Sequence, residues 1–200
     1  LLAVNLLVVW VLARDLGKDA PHAECTGARV LVRAEASEVL RDAFVHLLRN
    51  AMDHGIEPPP ERAAKGKAGR GRITAQTCVE GGEVVVRLQD DGRGLDLARI
   101  HDKALAQGLL GPDDAPSADA LAQMIFAPGF STAAEVTTVS GRGVGMDAVK
   151  AFIEALHGQV TVVVEPDAPV YATPFATVIR LPLHWTISVQ GHRGALGEAA

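Results

Sequence analysis

The chain has 200 residues, which is enough for one domain with a buried core. Of these residues 48% are hydrophobic and 22% charged, a composition that excludes wholesale disorder. A net charge of −5 and an aromatic content of 4% exclude a basic nucleic-acid footprint and a base-stacking surface. Because Cys25 and Cys78 form no CxxC pair, we expect no disulfide scaffold, no cysteine zinc site and a reducing, cytoplasmic environment.

The first twelve residues are almost wholly apolar. A helix that crosses a bilayer needs about 20 residues, and the basic start of a secretory signal is absent. We therefore expect a buried helix or an interface within a longer chain. The chain divides into an apolar entry segment at 1–20, one domain at 21–185 and a flexible tail at 186–200.

The first half of the domain predicts a helix followed by a hairpin. A helical run follows Ser37 and continues to His54, where a glycine and three prolines end it. Residues 73–79 and 83–88 are rich in β-forming residues on either side of a Glu-Gly-Gly turn.

The second half predicts helices at 97–107, 118–126 and 146–156, and strands at 159–164 and 177–181. The strands are joined by a hairpin or by long excursions rather than by regular crossover helices. This favours an α+β fold: a two-layer α/β sandwich whose mixed, mostly antiparallel sheet has helices on one face.

The first predicted helix carries a polar arc beside its apolar side. At about 100° per residue the arc holds His46, Arg49, Asn50, Asp53 and His54. Such an arc is often only a solvated helix face. Its residue types also suit chemistry, because an asparagine oxygen can ligate Mg²⁺ and a histidine can take a proton near neutral pH.

A second motif, Asp90-Asp-Gly92-Arg-Gly94, follows the strand predicted at 83–88. A carboxylate at a strand end can accept a hydrogen bond from an exocyclic amine such as that of adenine. The glycines let the backbone approach a ligand closely. The alternative is an ordinary turn, since Asp-Gly is a common turn sequence.

A third motif precedes the helix predicted at 146–156. It consists of Ser140, Gly141, Arg142, Gly143, Val144, Gly145 and Met146. Alternating glycines before a helix present backbone N–H groups and the positive end of the helix dipole, which together suit an anion. The spacing matches neither a Walker A loop nor a dinucleotide fingerprint, so it predicts a phosphate-binding loop of another kind.

A fourth motif, Phe126-Ala-Pro-Gly-Phe130, continues into Ser131 and Thr132. A Pro-Gly turn between two phenylalanines suits a flap whose aromatic anchors pack down when a ligand arrives. A plain loop with two core contacts is the alternative.

Along the chain the four motifs run in the order helix face, DxGxG, FxPGF and GxGxG, and in that order they resemble the ATP-binding domain of histidine kinases, within the wider GHKL family shared with gyrase, Hsp90 and MutL. Residues 46–57, which read HLLRNAMDHGIE, are most similar to the N box of CheA-type chemotaxis kinases. Residues 126–132 and 141–147 resemble the flap and second glycine box of the same kinases. The resemblance covers residues 13–183, and the motifs are jointly far more specific than each alone.

The resemblance implies a protein-histidine kinase site that binds ATP and Mg²⁺. His46 would be the base or γ-phosphate contact, Asn50 the Mg²⁺ ligand and Asp90 the partner of the adenine amine. The remaining nucleotide-binding candidates are Arg49, Asp53, His54, Gly92, Gly94, Arg99, Phe126, Ser131, Thr132, Ser140, Gly141, Arg142, Gly143, Val144, Gly145 and Met146. Residues 126–140 would form a mobile lid.

The resemblance also implies partners. The γ-phosphate would pass to a histidine on a separate phosphotransfer domain, and dimerisation and receptor-coupling domains and a response regulator would complete the system. We expect no nucleic-acid partner and no membrane span in this chain, which would be the kinase core of a larger protein.

Two departures from the family pattern leave an alternative open. Pro174 and Phe175 stand where a Gly-Thr pair is usual, so that Thr173 or Thr177 would have to supply the hydroxyl, and Arg99 replaces a lysine. The alternative is a degenerate nucleotide-binding or scaffold module without kinase turnover. An ATP-gated clamp is disfavoured by the DHGIE and FxPGFST sequences.

Overall fold

One mixed sheet of five strands forms the frame of the protein. The computed structural model describes residue 9 and residues 11–130 and 145–190. Its strands are β1 (His22–Gly27), β2 (Arg29–Val32), β3 (Arg72–Glu80), β4 (Glu83–Asp90), β5 (Gln159–Val164), β6 (Phe175–Pro182) and β7 (Thr186–Gln190). The large sheet has the order β1-β3-β4-β6-β5, and β2 and β7 form a separate antiparallel pair. Within the large sheet β1 runs parallel to β3, whereas the other neighbours are antiparallel.

Five helices of six or more residues complete the described fold. They are α1 (Ala34–Asn50), α2 (Pro59–Ala64), α3 (Leu97–Ala106), α4 (Ala118–Gln123) and α5 (Met146–Glu154). A π-helical turn, Ala51–Gly55, extends α1, and 3₁₀ turns follow α4 (Met124–Phe126) and β6 (Leu183–Trp185). Residues 11–15 are also helical.

The core lies between the helices and one face of the sheet. Leu40 and Phe44 on α1 and Ile153 on α5 are buried together with inward-pointing residues of the strands. On β4 the core residues Val84, Val86 and Leu88 alternate with other positions, as the two-residue period of a strand requires. Each fully buried side chain of this size contributes about 1.5–3 kcal/mol. The predicted α+β sandwich is confirmed.

The predicted hairpin is confirmed, and its turn has a local cause. In the β3–β4 ladder Glu80 pairs with Glu83 across two glycines. Gly81 and Gly82 have φ values of 58° and 83°, which only glycine adopts freely and which the right-handed twist of a two-residue hairpin requires. The turn brings β4 beside β3, and β6 pairs with the other edge of β4. Asp90, at the end of β4, therefore lies on the middle strand of the sheet.

The predicted beginning of the first helix was wrong, whereas its predicted end was close, because helical structure continues through the π-helical turn to Gly55. The helix begins at Ala34, because Arg33 is the extended N-cap residue and the Ser37 N–H donates an ordinary helical hydrogen bond to the Arg33 carbonyl. The prolines that end this helical run also begin α2, with Pro59 in its first turn. A proline is tolerated there because the first N–H groups of a helix have no partner within the helix.

The predicted beginning of the flexible tail, residue 186, was wrong, because residues 186–190 form β7. This strand pairs with β2, with Val30 opposite Val189 and Arg29 opposite Gln190. Its pairing partner lies more than 150 residues away in the sequence, so no local sequence pattern predicts this strand. Residues 191–200 lie outside the described residues.

The described part of the apolar entry segment packs into the core. Val9 and Leu12 are buried, whereas Val11 is 46% exposed. Residues 1–8 and 10 lie outside the described residues, so the expectation of a buried helix or an interface stays a prediction. Across residues 9, 11–130 and 145–190, no helix combines the length and apolar character that crossing a bilayer would need.

Candidate nucleotide-binding site

The polar arc of the first helix lies where α1 passes into the π-helical turn. The buried side chains of Ala51 and Met52 anchor this turn in the core, and the Ile56 N–H donates to the Ala51 carbonyl at 2.7 Å. Lys18 Nζ donates to the carbonyls of Met52 and Asp53 at 2.6 and 3.0 Å and so satisfies acceptors that the turn leaves free. Single π-helical turns are frequent at functional sites.

His46 is half-buried and packs on the neighbouring helix. Its ring stacks on Phe152 of α5, with ring centroids 6.1 Å apart and an angle of 25° between the planes. Burial lowers the pKa of His46, and the charge of Arg49 lowers it further. The imidazole is therefore neutral at physiological pH and able to accept a proton.

Asn50 joins the end of α1 to the beginning of α5. Its Nδ2 donates to Met146 Sδ at 3.1 Å. No described residue donates a hydrogen bond to its carboxamide oxygen. Within the described residues no group of three or more histidine, cysteine or acidic side chains could enclose a metal ion. The single carboxamide oxygen of Asn50 is a donor of the kind that suits a Mg²⁺ ion held by one or two protein oxygens and the phosphates of a ligand.

Asp90 ends β4 on the inner side of the sheet and contacts the π-helical turn. Its Oδ1 accepts a hydrogen bond from the Gly92 N–H at 3.0 Å. A Cβ atom on Gly55 would lie 2.9 Å from the same oxygen, and one on Gly92 would collide with the Gly55 carbonyl. Burial raises the pKa of Asp90 to about 6. The two glycines therefore allow a carboxylate, a strand end and a helix end to meet in one place.

The rest of the second motif is fixed against the segment before β6. Leu95 and Thr173 exchange two backbone hydrogen bonds of 2.8 and 2.9 Å, and Gly94 takes a φ of 73° beside the Thr173 carbonyl. The Thr173 hydroxyl donates to the Pro169 carbonyl at 2.8 Å. Thr177 lies on the inner face of β6 opposite Leu88, and its hydroxyl has no hydrogen-bond partner among the described residues. Of the two threonines, Thr177 is the one whose hydroxyl is available.

The aromatic anchors of the fourth motif pack in the core. Phe126 and Phe130 are each 5% exposed, and Lys103 Nζ lies 5.3 Å from the centroid of the Phe130 ring. Gly129 has a φ of 70° in the turn between them. A flap and a plain loop would both bury these rings, so the flap stays a prediction.

The structure brings some of the predicted site residues together and leaves others apart. Asn50 meets Met146, and Asp90 meets Gly55 and Gly92, while Asp53 and His54 occupy the π-helical turn between these contacts. Gly145 is the N-cap of α5. Arg99 is exposed in the first turn of α3, where its N–H donates to Asp96, and no hydrogen bond or ion pair joins it to another candidate within the described residues.

Seven predicted site residues lie outside the described residues. They are Ser131, Thr132, Ser140, Gly141, Arg142, Gly143 and Val144. Their roles stay predictions. The described part of the arrangement around Asn50 and Asp90 therefore consists of the end of α1 with its π-helical turn, the end of β4 and the beginning of α5.

A cluster of charges behind the Asp90 turn was missed by the sequence analysis. Glu57 and Arg62 are buried and form an ion pair that also reaches Asp91. Glu57 closes the HGIE sequence, which pointed only to a family resemblance. The sequence shows that residue 57 is a glutamate, but its ion-pair partner Arg62, five residues later, can be recognised only from the fold.

Comparison with known proteins places these features in a family. The family of histidine kinase-, DNA gyrase B- and HSP90-like ATPases matches residues 35–184. The chemotaxis protein CheA of Treponema pallidum is 40% identical over 191 residues, covering 92% of this chain and 22% of that protein. The CheA of Klebsiella aerogenes is 44% identical over 154 residues, covering 76% and 24%. The solved mycobacterial sensor histidine kinase MprB superposes with a TM-score of 0.54 at 17% identity, covering 90% and 92% of the two chains, which supports the fold alone.

The chain therefore belongs to the histidine kinase-, DNA gyrase B- and HSP90-like ATPase family. Within that family it is a CheA-like ATP-binding domain, as the motifs predict, and the alternative of a degenerate scaffold module is not favoured. It spans about a fifth of the length of these curated relatives.

Proposed function

We propose that this chain binds ATP together with Mg²⁺ and transfers the γ-phosphate to a histidine on a separate phosphotransfer domain. The observation that carries the proposal is that one π-helical turn has Asn50 at its beginning and lies against Asp90 through Gly55 at its end. The CheA names of the relatives supply the reaction class.

In this proposal the adenine amine donates to the Asp90 carboxylate. Gly92 and Gly94 shape the wall beside the base, because their backbones lie close to neighbouring carbonyls where a side chain would intrude. Arg49, Asp53 and His54 line the route from the base to the phosphates. The remaining phosphate contacts would come from residues 140–146, at the positive end of the α5 dipole.

The carboxamide oxygen of Asn50 is the protein ligand we assign to Mg²⁺. When bound, the ion neutralises phosphate charge. The hydrogen bond to Met146 uses Nδ2, and among the described residues nothing donates to the carboxamide oxygen, so this oxygen can take a ligand while the contact with Met146 is kept.

The transfer forms an N–P bond to the acceptor imidazole and breaks the bond between the γ-phosphorus and the bridging oxygen, which leaves with ADP. The acceptor ring loses one proton, and the neutral His46 is the group we assign to receive it or to contact the γ-phosphate. The protein otherwise positions the reactants and neutralises charge.

The length of the relatives supports the partners in the proposal. The relatives are four to five times as long as the matched segment, which leaves room for dimerisation and receptor-coupling domains. The reaction needs a phosphotransfer domain that carries the acceptor histidine, and a response regulator would complete the system. A cytoplasmic site of action is supported by two free cysteines, which suit a reducing compartment.

The test is transfer of labelled γ-phosphate from ATP to a supplied phosphotransfer domain in the presence of Mg²⁺. We expect acid-labile label on the acceptor histidine. The substitution Asn50→Asp should preserve the fold but reduce the transfer rate at least about tenfold, because it changes the assigned metal ligand and adds a charge beside the phosphates. Full activity of this variant would contradict the metal assignment, and ATP binding without any transfer would support a scaffold role instead.

A further inference from the structure

A cluster of four charged side chains, two of them fully buried, lies directly behind the Asp90 turn. The side chains of Arg62 and Glu57 have no exposed surface, and Arg62 Nη1 lies 3.1 Å from Glu57 Oε2. Lys67 and Asp91 complete the cluster. These four residues come from the loop after α1, from α2, from the loop after α2 and from the end of β4. Burying charged side chains costs desolvation free energy. The contacts that these side chains make therefore indicate which groups they hold in place.

Arg62 fixes Asp91, the residue that follows the proposed adenine ligand. Its Nη2 donates to Asp91 Oδ2 at 2.7 Å, and its Nη1 reaches the Asp91 carbonyl at 3.3 Å. The N–H on Nε donates to the Ala68 carbonyl at 2.6 Å. The second oxygen of Asp91 accepts from the Arg72 N–H at 2.8 Å. Both carboxylate oxygens of Asp91 are therefore committed, and its side chain has one orientation.

Lys67 fixes the next two peptide groups. Its Nζ donates to the carbonyls of Asp91 and Gly92 at 2.9 and 2.7 Å, and to Glu57 Oε1 at 2.9 Å. The Gly92 N–H donates in turn to Asp90 Oδ1 at 3.0 Å. Lys67 thus holds the carbonyl side of the turn whose amide side orients the Asp90 carboxylate.

We propose that Arg62 and Lys67 are positioning residues for the nucleotide base, because they hold the Asp90–Gly92 turn in the conformation that aims the Asp90 carboxylate before ATP arrives. Neither side chain is placed in the base site itself. The inference rests on the proposed function, in which Asp90 receives the adenine amine. Orientation in advance of binding improves affinity because less freedom is lost when the ligand binds.

The cluster also sets the charge environment of Asp90. Lys67 favours the ionised carboxylate, whereas Asp91 and Glu57 oppose ionisation. Removal of Lys67 therefore loosens the turn and raises the pKa of Asp90 together. A purely structural contribution of Lys67 would change stability without changing the pH dependence of ATP binding.

Lys65 provides a matched control. Its Nζ contacts the same oxygen of Glu57 at 3.2 Å and also Glu61 at 2.9 Å, but it reaches no carbonyl of the Asp90 turn. The variants Lys65→Met and Lys67→Met therefore each remove one lysine from Glu57 and differ in the contact with the turn. Lys67 is 30% exposed, so its replacement is better tolerated by folding than that of the fully buried Arg62.

The experiment is calorimetric titration of a non-hydrolysable ATP analogue into the parent chain and the variants between pH 5 and pH 8. We expect Lys67→Met to raise Kd about tenfold and to move the acidic loss of binding to higher pH, Lys67→Arg to restore part of the affinity, and Lys65→Met to match the parent. In the phosphotransfer assay Lys67→Met should raise KM for ATP more than it lowers kcat.

Hydrogen exchange of the Gly92 amide in the nucleotide-free chain gives an independent measure, and Lys67→Met should accelerate it while Lys65→Met does not. If the parent binds ATP and the two methionine variants match each other in Kd, pH profile and exchange, the inference is wrong and the proposed function stands. If the parent itself does not bind ATP, the proposed function fails and this inference fails with it.

Discussion

Asp90 combines two opposing demands at the scale of a single residue. In the proposed function its carboxylate must be available to the adenine amine, yet burial raises its pKa to about 6 from an ordinary value of 3.8. Between these values the folded chain binds more protons than the unfolded chain, so stability falls as pH rises through this window and the full penalty is present above about pH 6. Such a penalty is typical of functional positions.

The substitution Asp90→Asn removes this penalty and keeps an oxygen that can accept from the Gly92 N–H. At pH 7.5 we expect the free energy of unfolding to rise by about 2 kcal/mol, while ATP binding weakens by a similar amount because a charged acceptor is lost. Urea unfolding and calorimetry measure the two quantities. The gain in stability should vanish below about pH 4, and the exposed Asp102→Asn, with 84% side-chain exposure, should show neither effect.

ATP binding should itself depend on the ionisation of Asp90. As pH falls through about 6 the carboxylate is protonated and becomes a poorer acceptor for the adenine amine, so affinity should decrease on the acidic side. Titrations from pH 5 to pH 8 test this, with Asp90→Asn as the reference for protonation of ATP itself. An equal pH dependence in the parent and in Asp90→Asn would contradict the assignment of Asp90.

At the scale of elements, the site depends on close contact between the end of α1 and the end of β4. The Gly92 backbone lies against the Gly55 carbonyl, and the Arg93 N–H donates to that carbonyl at 2.9 Å. Both partners are main chain, which cannot move aside as a flexible side chain can. The helix end and the strand end are therefore coupled in position.

The substitution Gly92→Ala tests this coupling. A methyl group there would collide with Gly55 and separate the π-helical turn from Asp90, so we expect a loss of stability of about 2 kcal/mol and at least about a tenfold loss of ATP affinity. Gly69→Ala is the control, because a methyl group at Gly69 would meet no neighbouring atom within 4 Å and the backbone there carries no positive φ. Unchanged ATP binding in Gly92→Ala would show that the contact is not needed.

Elements with local signals could be predicted from the sequence, and those that depend on distant partners could not. The β3–β4 hairpin follows from two glycines between β-rich runs, and α1 follows from its amphipathic period. The pairing of β2 with β7 joins segments more than 150 residues apart. In the site, residue types pointed to Asn50 and Asp90, but the Arg62–Asp91 pair and the Asn50–Met146 contact arise only when the sheet and helices assemble.

At the scale of the whole molecule, the fold brings three chain segments to one side of the central strands. The end of β4, the π-helical turn after α1 and the beginning of α5 are separated in sequence but joined by direct contacts through Gly55 and Met146. The proposed phosphoryl transfer would use this arrangement, because in that reaction the protein contributes position and charge rather than a covalent intermediate. The central claim is that one bound ATP spans these three segments.

A crystal structure of the chain with a non-hydrolysable ATP analogue and Mg²⁺ tests that claim most directly. We expect the adenine amine to lie within hydrogen-bond distance of Asp90 and the Asn50 carboxamide oxygen to coordinate the metal ion, with the phosphates near the beginning of α5. A nucleotide bound elsewhere, or one whose base and metal contact neither residue, would contradict it.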